Sequence, residues 1–147
     1  MIRSASVLRR IPFGGAAFLY AMIVRMKKIL LVEDDQFLGS LMKNRLVKEG
    51  FDLVWATSGD EAIAELKAGP ADLILMDIIL PGYSGFEALE KIVADPQCGR
   101  VPVMIISNLG QESDVARGRQ LGVVAYLVKA QTPIDELVRR VREFLKV

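Results

Sequence analysis

Histidine is absent from the chain, and cysteine occurs once, at Cys98. Without histidine there is no Ser-His-Asp or Cys-His nucleophile pair, no imidazole metal site and no phosphohistidine on this chain. Any phosphoryl group that passes through it must come from another molecule. A single cysteine forms no intramolecular disulfide and lacks the partners of a zinc site, which fits a reducing, cytoplasmic setting. An excess of one charge is missing too: 19 basic and 18 acidic residues leave +1. That balance gives no general drive toward nucleic acid or an anionic membrane. The apolar run from Ile11 to Val24 is broken by Pro12, Gly14 and Gly15 and is too short to span a bilayer.

What remains is a chain of 147 residues, 52% of them hydrophobic. That is enough for one well-buried core and too little for two domains. Residues 1–25 hold Arg3, Arg9, Arg10 and Arg25 and no acid, so residues 26–147 carry 15 basic against 18 acidic side chains. The N-terminal segment has no convincing small-residue cleavage site. Residues 1–25 are therefore read as an extension, disordered or a start-site artefact, with Met26 opening the compact body MKKILLVEDD; a membrane-surface anchor or a targeting segment is the alternative.

From Lys27 onward, short apolar runs alternate with segments of helical period. The runs at 28–33, 52–56, 72–77, 101–107 and 123–129 have strand length, and several are apolar at consecutive positions, as in strands covered on both faces. Between them, Leu38, Leu41, Met42 and Leu46 form one helical stripe, and Ile134, Leu137, Val138, Val141, Phe144 and Leu145 another. Ser58 with Glu61 and Ser84 with Glu87 have capping-box spacing, Thr132-Pro133 opens the last helix, and Gly50, Gly69 and Gly122 stand where helices stop. Five βα units in succession imply an α/β fold: a parallel sheet with right-handed crossovers and helices on both faces.

In such a sheet, functional groups gather at the carboxyl ends of the strands. The stretch DLILMDIILPG, Asp72 to Gly82, ends an apolar run in Asp77, and a carboxylate there is costly unless it is exposed or paired. The other strand ends hold Glu33 and Asp34, then Ser107, then Lys129. Three carboxylates held together repel unless a cation offsets them, and Mg2+ with oxygen ligands suits them. Lys129 adds a point charge and Ser107 a donor for phosphoryl oxygens, which leaves Asp77 placed for in-line attack on phosphorus.

These residues resemble the receiver domain of two-component response regulators: the acidic pair in LLVEDD, Asp77 in LILMDIILPGYSG with Pro81 and Gly85, Ser107 ending VMIIS, and Lys129 in AYLVK. The spacings, 30 positions from Asp77 to Ser107 and 22 from Ser107 to Lys129, are similar to the family's. The resemblance implies a flavodoxin-like, doubly wound, five-stranded sheet of order 2-1-3-4-5. It implies that Asp77 is the phosphoacceptor, served by a sensor histidine kinase or phosphotransfer protein. Asp34, Asp77 and the Ile79 carbonyl would bind Mg2+ directly, with Glu33 acting mainly through water. Ser107 and Lys129 would stabilise the phosphoryl group, and Ser107 with Tyr126 would form the switch. Ile79 and Leu109 occupy the positions that tune dephosphorylation, and neither can orient water, so a long-lived phosphoryl group is expected.

Other residues read more plainly. Asp35 is a helix N-cap or first-turn charge, Trp55 is core, and Arg139, Arg140, Arg142 and Lys146 are a solvated face interleaved with acids. Two positions depart from the family pattern: Ala130 where proline is usual after the lysine, and Asn108 where a smaller residue is common. The expected output is a binding event with a downstream protein, not catalysis beyond the domain's own phosphorylation and dephosphorylation. It would use the fourth helix of the body (residues 111–121), the fifth strand and the fifth helix, in a monomer or phosphorylation-dependent dimer without direct nucleic-acid contact. The alternatives are a phosphorelay intermediate or a phosphorylation-independent interaction module. A haloacid-dehalogenase-type phosphatase needs an acid where Ile79 stands, and a flavodoxin-like FMN binder would meet repulsion from Glu33, Asp34 and Asp35.

Overall fold

The computed structural model of the chain describes residues 13–147. Its elements, in order, are α1 (Phe13–Arg25), β1 (Lys28–Val32), α2 (Gln36–Lys48), β2 (Asp52–Ala56), α3 (Gly59–Ala68), β3 (Leu73–Met76), α4 (Gly85–Ala94), β4 (Val103–Ser107), α5 (Glu112–Gln120), β5 (Ala125–Val128) and α6 (Ile134–Leu145). Single 3-10 turns lie at Pro96–Cys98 and Lys129–Gln131. The strands form one parallel sheet of order β2-β1-β3-β4-β5, the expected arrangement.

Two apolar layers explain the sheet. Leu30, Val32, Ile74, Met76 and Ile105 face α3 and α4, while Ile29, Leu31, Leu75, Met104 and Ile106 face α2 and α6. Alternation along each strand sends successive side chains to opposite layers, and both are covered, so the strands read as continuous apolar runs. Each fully buried Leu or Ile contributes about 1.5–3 kcal/mol. The registers Val32↔Met76 and Met76↔Ile105 align the carboxyl ends of three neighbouring strands. That alignment positions the site.

Several local expectations need adjusting. Within the N-terminal extension, read as disordered or a start-site artefact, residues 13–25 form the helix α1, which good helix formers such as Ala16, Ala17 and Leu19 favour; residues 1–12 lie outside the described residues. The Ser58 Oγ accepts the Glu61 N–H at 3.2 Å, but the Glu61 carboxylate reaches Thr57 N at 2.8 Å in place of the Ser58 N–H. Thr132 does not cap α6: its hydroxyl donates to the Val128 carbonyl at 2.8 Å, and Pro133 precedes the helix. Gly50 and Gly122 end their helices with left-handed φ values of 96° and 84°, whereas Gly69 ends α3 in extended backbone that any residue adopts. Leu41 and Phe144 sit at the exposed edges of their stripes.

Candidate functional site

Asp77 is the first residue past β3, and its N–H donates to the Val32 carbonyl at 3.0 Å. The residue is only 4% exposed, and each carboxylate oxygen has partners. Oδ1 accepts the N–H groups of Ile78 and Ile79 at 2.6 and 3.2 Å; Oδ2 accepts Lys129 Nζ at 2.6 Å. A buried aspartate therefore follows the apolar run without being left unpaired.

Glu33, one residue past β1, is 1% exposed. Its N–H donates to the Ala56 carbonyl, and its carboxylate meets Lys129 Nζ at 2.6 Å through Oε1 and the Asp35 N–H at 3.2 Å through Oε2. Burial lifts the Glu33 carboxyl above its usual range; the Lys129 hydrogen bond opposes the rise and the Asp77 charge adds to it. Burial pulls the Lys129 ammonium down, but the hydrogen bonds to Asp77 and Glu33 outweigh it and the net shift is upward. Lys129 is thus a charged bridge between two buried carboxylates.

Asp34 is exposed beside them, and Glu33, Asp34 and Asp77 each bring one carboxylate oxygen within 4.8 Å of the others. All-oxygen, carboxylate-rich donors at the carboxyl ends of neighbouring strands suit a hard divalent ion such as Mg2+. Asp35 is not part of this set: its Oδ1 accepts the Leu38 N–H at 2.8 Å as the N-cap of α2.

Ser107 ends β4, fully buried, and its Oγ accepts the Leu109 N–H at 3.3 Å. Tyr126, in β5, donates its hydroxyl to the Leu109 carbonyl. Burial, with the charges of Asp114 and Asp77, pushes the Tyr126 phenol up to about 12, so it stays a donor. The Ile79 and Leu109 side chains are exposed, 56% and 36%. Asn108 is exposed, and Ala130 lies in the 3-10 turn with no cis bond among the described residues.

Three supporting residues have roles that sequence reasoning did not assign, although Gly85 was among the residues carrying the resemblance. A methyl group on Gly85 would overlap the Asp77 carbonyl oxygen, so only glycine lets α4 start this close behind the site. Tyr83 ties the loop after Asp77 to α3, donating to Asp60 at 2.7 Å beneath Lys91. Trp55 is only half-buried, and its indole Nε1 donates to the Glu33 carbonyl at 2.9 Å.

A family profile of the response regulator receiver domain matches residues 29–142. The chain belongs to the response regulator receiver family. This receiver is 37% identical over 120 residues to the phosphate regulon transcriptional regulatory protein PhoB of Rhizobium meliloti, an alignment covering 81% of this chain and 52% of PhoB. Protein PilH of Pseudomonas aeruginosa is 32% identical over 111 residues, covering 76% of this chain and 89% of PilH. The receiver thus spans about half the length of the first of these relatives and most of the second. Among solved structures, the receiver domain of the Pseudomonas aeruginosa sensor histidine kinase PA1611, with a magnesium ion coordinated in its active site cleft, superposes with a TM-score of 0.73 at 27% identity, covering 83% of this chain and 99% of that one. The receiver family is a regulatory phosphoacceptor family of two-component systems. Among the described residues no helix is long and apolar enough to cross a membrane.

Proposed function

We propose that this receiver takes a phosphoryl group onto Asp77 from a sensor histidine kinase or a phosphotransfer protein, with Mg2+, and thereby switches a protein-binding surface. The observation that carries the reading is the Asp77 carboxylate itself. It is buried, held on one oxygen by two backbone N–H groups and on the other by Lys129, with Glu33 and Asp34 beside it.

In the transfer, a carboxylate oxygen of Asp77 forms a bond to phosphorus as the P–N bond to the donor's imidazole breaks, and the imidazole leaves with the electron pair. The product is an acyl phosphate. Mg2+, when bound, supplies positive charge to the phosphoryl oxygens. Asp34, Asp77 and the Ile79 carbonyl would hold it, with Glu33 acting through water. Lys129 already reaches Asp77, so a small swing of its ammonium meets the new phosphoryl group, and the Ser107 hydroxyl supplies a donor.

Ser107 and Tyr126 both bond to the backbone of Leu109, one through its N–H and the other through its carbonyl. A turn of the Ser107 hydroxyl toward the phosphoryl group therefore frees the Leu109 N–H and loosens the residue whose carbonyl anchors the Tyr126 hydroxyl. The surface reshaped is that of α5, β5 and α6, where Val124 and Phe144 are exposed. A downstream protein docks there, the receiver being a monomer or a phosphorylation-dependent dimer in the cytoplasm, without direct contact to nucleic acid.

The test is incubation of the chain with acetyl phosphate and Mg2+, alongside Asp77→Asn, read by intact mass. A phosphate-sized gain that requires Mg2+ and is absent in Asp77→Asn is expected. No gain in a folded, Mg2+-binding parent would sink the phosphoacceptor reading in favour of a phosphorylation-independent module.

A further inference from the structure

We propose that Trp55, seated on Gly39, is a positioning residue for the divalent cation: its indole N–H holds the Glu33 carbonyl and so sets where Asp34 presents its carboxylate. The inference rests on the Mg2+ reading above and adds a residue to it.

Asp34 is exposed, and its reach is governed by the backbone that carries it. Besides the Asp35 N-cap of α2, four hydrogen bonds hold that backbone. Glu33 N–H donates to the Ala56 carbonyl, Asp35 N–H to Glu33 Oε2, and Gly39 N–H to the Asp35 carbonyl. The fourth is Trp55 Nε1 to the Glu33 carbonyl at 2.9 Å. That carbonyl belongs to the peptide joining Glu33 to Asp34, so anchoring it sets the plane from which Asp34 departs. It is also the one bond of the four made by a side chain that belongs to neither the acids nor the backbone. It can therefore be removed without touching a ligand.

Gly39 makes room for this. A Cβ there would overlap the Trp55 ring carbons Cζ2 and Cε2 and lie 2.9 Å from Nε1. Any side chain at 39 pushes the ring away at its donating end. Glycine inside a helix is otherwise unfavourable, and alanine is the better helix former. On propensity alone Gly39→Ala strengthens α2, whereas the indole contact makes it disturb the acidic loop.

Partners that orient metal-holding groups typically change affinity 10–100-fold when removed. Mg2+ affinity, measured by calorimetric titration of the full chain well below its melting temperature, is compared in the parent, Trp55→Phe and Gly39→Ala. Trp55 is the chain's single tryptophan, so its emission in the parent gives a second binding curve. Roughly tenfold weaker Mg2+ binding is expected in Trp55→Phe, which keeps a ring and loses the N–H, with a comparable loss in Gly39→Ala. Unchanged Mg2+ affinity in both folded variants overturns the inference, including when their melting temperatures fall, because that pattern marks a packing role. Should Trp55→Phe fail to fold, Gly39→Ala decides by itself. A folded parent that binds no Mg2+ overturns the reading beneath the inference, a result distinct from equal binding by parent and variants.

Discussion

Lys129 carries the charge balance of the site, since its ammonium lies 2.6 Å from both Glu33 and Asp77. Two carboxylates this buried would otherwise resist ionising together. At the same scale, the exposed, apolar Ile79 and Leu109 side chains flank Asp77 and Ser107 without any group that accepts a proton or orients water. The phosphoprotein should therefore lose its label slowly by itself. Following intact mass after removal of the phosphodonor checks this, and loss as fast as that of chemotaxis-type receivers would refute it. Asp77, Lys129 and Ser107 were legible from residue type and position at strand ends. The roles of Trp55 and Gly39 were not, and Gly85 was legible only as part of the family motif, because these roles rest on contacts with residues distant in sequence or on space left empty, and neither leaves a periodicity to read.

Elements place these residues through close approaches. Helix α4 begins with Ser84 Oγ accepting the Glu87 N–H and with Gly85 N–H donating to the Ile78 carbonyl at 2.8 Å. Gly85→Ala would force its methyl into the Asp77 carbonyl, and overpacking of this kind costs about 1–3 kcal/mol. Denaturant unfolding should show a loss in that range, and an unchanged midpoint would mean that α4 shifts freely. On the opposite face, α2 and α6 are clamped by charge. Arg142 Nη2 meets Glu49 Oε2 at 2.7 Å and its carbonyl at 2.9 Å, Arg45 Nε meets Glu49 Oε1 at 3.0 Å, and Arg45 Nη1 meets Asp135 at 2.7 Å. Arg142 is thus engaged within the fold, while Arg139 pairs with Glu136 and Glu143 on the solvated face.

The clamp has a pH signature. Hydrogen bonds from Arg142 and then Arg45 hold the Glu49 carboxyl below its ordinary value of 4.5. A group with a depressed folded pKa contributes stability above its unfolded pKa and loses it as pH falls through the folded value. Glu49→Gln should therefore melt lower than the parent near neutral pH, with the gap closing below about pH 4.5. Thermal melts across that range check this, and a gap independent of pH would remove the charge from the account.

Across the whole molecule, the two apolar layers, among the described residues, begin at Ile29, and Phe18 of α1 is 70% exposed. We propose residues 26–147 as the receiver unit. Deleting residues 1–25 should leave the melting temperature within about 2 °C of the full chain. A larger drop would show that the N-terminal segment packs on the body.

The five strands and their parallel direction followed from residue pattern because a sheet covered on both faces demands consecutive apolar residues and βα repeats join parallel strands, whereas the order 2-1-3-4-5 came from the family resemblance. Residue order likewise shows which strand ends bear acids, a hydroxyl and an ammonium, since a charged residue closing an apolar run marks the point where chain leaves core. How those ends join is a matter of three-dimensional packing. Packing bridges Glu33 to Asp77 through Lys129, brings Ser107 and Tyr126 to one residue's backbone, and seats Trp55 over Gly39. Each depends on neighbouring strands lying in register and on helices approaching to within a missing side chain, distances that pairing and packing set and residue order does not.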